Sequence, residues 1–197
     1  MHHDAKLQEK LIDGLQEIYG LENQIVETLE KHVQQAKDVP EIQSKVQQHL
    51  DATKQHRARM EQRLNAYNQK PSTAKGALAS AMGNMMGLVS GSREDALAKN
   101  ARDEYVTEHL EIASYMKLIA IATAFGDPDT VLAAELNLND EYQMQQWLAQ
   151  HMADVTLLSL QKEGITIPDD AWNFSKQVSS MPQPAESLAR VGMETSK

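Results

Sequence analysis

Apolar residues recur at every third or fourth position through four long stretches, the spacing of one face of an α-helix. The first stretch runs from about Ala5 to Ala36 and carries Leu7, Leu11, Leu15, Ile18, Ile25, Leu29 and Val33, with Glu22 in the same stripe. Asp38 and Pro40 break it, and Pro40 suits the first turn of a second helix that reaches about Tyr67. Its inward positions are Ile42, Val46, Leu50, Thr53, Met60 and Leu64. Ser92 with Asp95 reads as a capping box that opens a third helix ending near Phe125. That helix has the stripe Leu97, Ala101, Tyr105, Glu108, Ile112, Tyr115, Ile119 and Ala122. Gly126 closes it, Asp127 caps a fourth, and Pro128 takes that helix's first position. The fourth continues to about Glu163 with Leu132, Leu136, Met144, Leu148, Val155 and Leu158 inward, and Gly164 stops it.

Helices of roughly 28 to 36 residues span about 40–50 Å each at 1.5 Å per residue. The short links between the first and second helices, and between the third and fourth, require antiparallel neighbours. The stretch from Lys70 to Gly91 is long enough for a crossover along the bundle. The expected fold is therefore all-α, an antiparallel four-helix bundle within residues 1–166 with its crossover at 70–91. The crossover is uncharged from Gly76 to Ser92 and places Ala79, Gly83, Gly87 and Gly91 four apart. It falls short of the roughly 20 apolar residues that span a membrane. A short helix across the bundle end is expected there, with Met82, Met85, Met86 and Leu88 filling gaps. A subunit contact at the same place is the other reading. Residues 167–197 form a polar tail with Pro182 and Pro184, expected to be partly disordered or loosely packed.

Composition narrows the function. The 28 acidic residues outnumber the 19 basic ones, for a net charge of −9. That argues against nucleic acid and anionic membrane as partners, since both need a positive footprint. The absence of cysteine removes disulfides, thiolate metal sites and a Cys nucleophile. The polar start MHHDAKLQEK lacks the apolar core of a secretory signal, so a cytoplasmic location is expected. Hydrolase, kinase and dehydrogenase readings find no triad, P-loop or dinucleotide fingerprint to rest on.

Polar residues on the core stripes carry the remaining signal. An ionised carboxylate at Glu22 is costly to bury unless it is paired or binds a cation. His49, Thr53 and His56 lie at i, i+4 and i+7 on one face of the second helix. Glu104, Glu108 and Glu111 share a face of the third, and Asp140 and Glu141 sit midway along the fourth. Any one of these residues alone is well explained by a salt bridge. As a set, four helices bring carboxylate and imidazole to one level, which is how a bundle holds a pair of divalent cations. Oxygen and nitrogen donors suit iron, manganese or zinc.

At these residues the chain resembles the stress-induced YciE/YciF-type bacterial proteins of the ferritin-like superfamily. The matching stretches are LENQIVETLE, QQHLDATKQHRARME, EHLEIASYMKLIA and NDEYQMQQWL, and the similarity covers about residues 5–163. The linker GNMMGLVSG points to the YciE-like branch. The resemblance implies a ferritin-like bundle with a di-metal centre, iron foremost, in a stress-associated cytoplasmic protein that is often a homodimer. Carried over by position, the metal ligands are Glu22, His49, Glu108, Glu111 and Glu141, with His56, Thr53, Asp140 and Glu104 as additional candidates. Tyr105 and Tyr115, a helical turn away, are candidate hydrogen-bond partners or redox neighbours, and no catalytic side chain beyond the ligands is assigned. One departure matters: ferritin-like di-iron sites carry a Glu-x-x-His pair on two helices. Here Met144 stands three residues after Glu141, and His56 three after Thr53. That leaves open a ligand-poor site, a single metal or a vestige. The expected function is metal binding with oxidation of Fe(II) or handling of peroxide. The alternative is a structural or interaction bundle whose inward charges pair with one another.

Overall fold

The computed structural model describes residues 5–72 and 96–173. The described residues include four long helices: α1 (Ala5–Gln35), α2 (Pro40–Ala66), α3 (Ala96–Phe125) and α4 (Pro128–Lys162). The expected capping box at Ser92 and Asp95, the crossover helix with its methionines, and the tail beyond residue 173 lie outside the described residues.

Cross-helix pairs define the packing. Asn23 meets Arg57 and Glu30 meets Lys54, so α1 and α2 are antiparallel. Asn100 reaches Gln35 while Lys117 reaches Glu17, which runs α3 antiparallel to α1. Arg59 contacts Asn137 and Arg63 contacts Thr130, so α4 runs against α2. Tyr105 with Gln145 and Tyr115 with Asn137 set α3 against α4. Every helix thus lies beside two antiparallel neighbours, and α2 and α3 share one direction on a diagonal. Two helices that run the same way in succession require the chain between them to travel back along the bundle. Ser72 sits beside Gln16, and the start of α3 lies near Gln35. The return therefore covers 19 residues of α1, about 28 Å at 1.5 Å per residue.

The core is in two parts. One gathers Leu21, Ile25, Leu29, Ile42, Val46, Leu50, Leu97, Met144 and Leu148 at the end where α3 begins. The other gathers Leu11, Leu15, Ile18, Met60, Leu64, Tyr115 and Leu118 at the opposite end. Between them the inward positions are polar. At the second end Gly14 admits a close approach of α1 to α3, because a Cβ there would stand 3.3 Å from Leu118 Cδ1.

Periodicity locates the inward faces of α1 and α2 correctly, and on α4 it finds Met144, Leu148 and Val155 but misplaces the first turns. Leu132 and Leu136 are 57% and 49% exposed, whereas Thr130, Ala134, Asn137 and Glu141 face inward. Position 132 is two residues from both 130 and 134, so it points to the far side of the helix. Small and polar residues occupy this inward face because Arg59 and Arg63 of α2 reach across to it. On α3, Leu118 is buried where Ile119 was expected, and Tyr105 and Ile119 are only half-buried.

The link from α3 to α4 is a buried polar knot. Gly126 adopts φ +84°, a left-handed conformation that ends α3. The Asp127 side chain then accepts the Thr130 N–H at 3.0 Å and the hydroxyl of Thr130. It also accepts the Tyr67 hydroxyl at 2.6 Å and Arg63 at 3.0 Å. Burial raises its pKa, but these hydrogen bonds outweigh that and hold it below the ordinary 3.8. A carboxyl with a depressed folded-state pKa contributes its stability in full above that ordinary value and loses it as the pH falls below. Asp127→Ala is expected to lower unfolding free energy by about 2–3 kcal/mol at pH 7, from the lost cap and the orphaned Arg63. The gap between variant and wild type should shrink below pH 3.8, measured by urea denaturation across pH.

Candidate metal centre

Each helix contributes to the polar layer from a position fixed by its own periodicity. On α1, Glu22 lies four residues after Ile18 and three before Ile25, so it cannot avoid the interior. On α2, His49, Thr53 and His56 continue the line of Val46 and Leu50 and are all buried. On α3, Glu104, Glu108 and Glu111 are buried on one face, and α4 adds Glu141.

Two groups of ligand atoms result. Glu22, His56 and Glu141 bring one donor atom each within 4.8 Å of one another, and so do His49, Glu108 and Glu141. Glu141 belongs to both, so it stands between two cation-sized positions. His49 Nε2 approaches Glu108 Oε1 to 3.0 Å, and His56 Nδ1 approaches Glu141 Oε1 to 2.8 Å. Neither nitrogen is aligned for a hydrogen bond with its neighbour. Among the described residues, nine buried side-chain nitrogen or oxygen atoms lack a hydrogen bond, and all but that of Gln24 belong to Glu22, His49, His56, Glu108, Glu111 and Glu141. Buried polar atoms are normally satisfied, so such a concentration needs a cause. A divalent cation at each position supplies one, because it accepts the lone pairs that no N–H or O–H meets. Two dications also offset the four carboxylates while the imidazoles stay neutral. The donor set therefore fits a metal pair.

Without that charge the layer holds protons. Burial pushes the Glu108 and Glu111 carboxyls well above the usual range, and the Glu141 charge adds to both effects. Burial raises Glu22 to about 7 against the opposing pull of His56. Burial works against the charged form of His49, yet Glu108 beside it lifts its pKa to about 10. His56 likewise reaches about 9 through Glu141 and Glu22. Glu141 is opposed by burial but stays low, because His56 and His49 favour its charge.

A further ring of contacts orients the ligands. His56 Nε2 donates to Asp140 Oδ2 at 3.1 Å, which turns Nδ1 toward Glu141 and Glu22. The Tyr115 hydroxyl donates to Glu22 Oε1, and the free Oε2 is left to the layer. Asn137 donates to the Tyr115 oxygen at 2.8 Å and accepts from Arg59 at 2.7 Å. The Thr53 hydroxyl is spent on the His49 carbonyl at 2.9 Å.

All five carried-over residues enter the layer, and Glu111 is the one outside both groups. His56, ranked only as an additional candidate, stands in a group on equal terms with His49. Asp140 lies behind His56 rather than among the donors. Glu104 is paired with His32 at 2.8 Å, and Tyr105 packs on His109 and accepts from Gln145. Asn137 and Arg59 carried no signal in the sequence, because their role depends on a contact between helices 78 residues apart.

Glu111 isolates the cost of this arrangement, since both of its oxygens are buried without a partner. In the metal-free protein Glu111→Leu is expected to raise unfolding free energy by about 1–3 kcal/mol, as uncompensated buried polar groups do when removed. Chemical denaturation in the presence of a chelator measures it, and a destabilised variant would contradict this account of the layer.

Solved structures share the architecture. The chain is 28% identical to a protein of Xanthomonas campestris, with a TM-score of 0.68 over 81% of this chain and 99% of that one. It is also 28% identical to YcfI from Rhodopseudomonas palustris, proposed to be a structural protein, with a TM-score of 0.60 over 75% of this chain and 94% of that one. A family model matches residues 6–161. The chain belongs to the family described as a domain of unknown function, DUF892, within the ferritin-like superfamily.

Proposed function

We propose that this protein binds two divalent metal ions, iron foremost, in the polar layer, and that the pair serves oxidation of Fe(II) or disposal of peroxide in a stressed bacterial cytoplasm. The observation that carries the reading is the set of unpartnered donor atoms converging on two positions joined by Glu141. Glu22 and His56 hold one position, His49 and Glu108 the other, and Glu141 spans both. Glu111 supplies a further carboxylate beside them. The donors are hard or borderline, which suits iron or manganese, with zinc as a redox-silent competitor.

Bound iron supplies the one-electron chemistry. The chain's own residues do the rest. Asp140 fixes the His56 ring, and Tyr115, held by Asn137 and Arg59, fixes Glu22. Apolar side chains above and below the layer exclude water, so the carboxylates interact strongly with whatever charge lies between them. A second copy of the chain is part of the proposal. Met116, Tyr142, Leu132, Leu136 and Val106 are exposed large apolar side chains on α3 and α4, and Tyr142 touches Met116.

The shared ligand gives the test its shape. Anaerobic Fe(II) titration followed by elemental analysis is expected to find about two ions per chain. Glu141→Ala should lose both, whereas His49→Ala and Glu22→Ala should each retain one. No metal in the wild type would leave a charge-paired structural bundle as the account. Loading should also release protons, because metal replaces them on His49, His56, Glu108 and Glu111. At least the two protons of His49 and His56 are expected at pH 7, with affinity climbing as the pH rises toward about 9. A pH-stat during loading reads the first and titrations across pH the second.

A further inference from the structure

At the end of the bundle where α1 finishes and α3 begins, the helices line a partly open pocket of about 20 Å³. Its walls include Ile42, Val46, Leu97, Met144, Leu148 and Val155. That volume admits one small molecule. Water would need two to four polar partners there. On the wall His32 is paired with Glu104, and Asn100 donates to Gln35. None of the buried atoms lacking a hydrogen bond lies on this wall. Most of the wall is apolar, which favours a small apolar guest.

Its place gives the guest a purpose. Val46 precedes His49 by three residues, Glu104 precedes Glu108 by four, and Met144 follows Glu141 by three. Three helices thus supply a wall residue and a ligand one turn apart, a step of about 5.4 Å along each axis. Those ligands are the members of one group, His49, Glu108 and Glu141. We propose that this cavity holds dioxygen, or an apolar molecule of its size, and delivers it to the His49–Glu108–Glu141 side of the layer. Use of the gas at the ligands rests on the di-metal reading; its binding in the cavity does not.

Metal-free, full-length protein with labelled methyl groups, placed under oxygen pressure, tests the binding by paramagnetic relaxation in NMR. Methyls of Val46, Leu97, Met144 and Val155 are expected to show several-fold larger enhancement than those of Leu11, Leu15, Met60 and Leu64. Ala101→Leu, which fills the cavity, should abolish the excess, and Ala36→Val is a milder filling of the same space. Uniform enhancement through both halves of the core, or an excess that survives filling, overturns the proposal. In Fe(II)-loaded protein Ala101→Leu should slow oxidation by dioxygen several-fold at unchanged metal content, and an unchanged rate overturns delivery. The two readings fail separately: without metal binding the methyl excess still reports the cavity, and with metal but no excess only the cavity reading falls.

Discussion

Four carboxylates and two imidazoles packed between two apolar blocks set the terms for everything else in this bundle. Glu22, Glu108, Glu111 and Glu141 are each 1% exposed or less. Like charges so placed cannot all remain ionised without compensation, and the interior offers few ways to supply it. Protons are one and metal ions are the other. Among the described residues no lysine or arginine ion-pairs directly with these four carboxylates, although Lys45 is near enough to Glu108 to feel its charge and Arg59 and Arg63 reach neighbouring positions on α4.

That constraint explains the rank of the surrounding contacts. Tyr115, Asn137 and Arg59 form a hydrogen-bonded line from the bundle's flank to Glu22. Asp140 does the same for His56 from the partly exposed side. Such contacts cost side-chain entropy and give little net stability alone. Their effect is to keep lone pairs pointed inward where no donor meets them. The polar knot at Asp127 is of another kind, since each of its groups is satisfied within the chain, and it fixes how α3 turns into α4.

Much of this was legible in the sequence where large apolar residues mark the inward face. The stripes of α1 and α2 are of that sort, and Glu22, His49 and Thr53 stand out against them. In the first half of α4 the inward face is Thr130, Ala134, Asn137 and Glu141, and Leu132 and Leu136 point outward, so an apolar pattern finds the wrong side there. Asp140 and Glu141 are neighbours about 100° apart on a helix, a difference that periodicity resolves poorly. His56 lies outside the set carried over by resemblance, and its place in a three-residue group depends on Glu22 and Glu141 of other helices. Both imidazoles come from α2, seven residues apart. The pairing of Glu104 with His32, across 72 residues, left no local trace.

The topology divides the donors in a way that bears on assembly. The α1–α2 hairpin carries Glu22, His49 and His56, and the α3–α4 hairpin carries Glu108, Glu111 and Glu141. Neither hairpin holds a complete group, since Glu141 is needed by both. While the hairpins are apart, the three acids of the second remain solvated and cost nothing. Their desolvation falls due only when the hairpins dock, which places the penalty late in folding rather than in either half. A cation held there would act as a clasp between the halves.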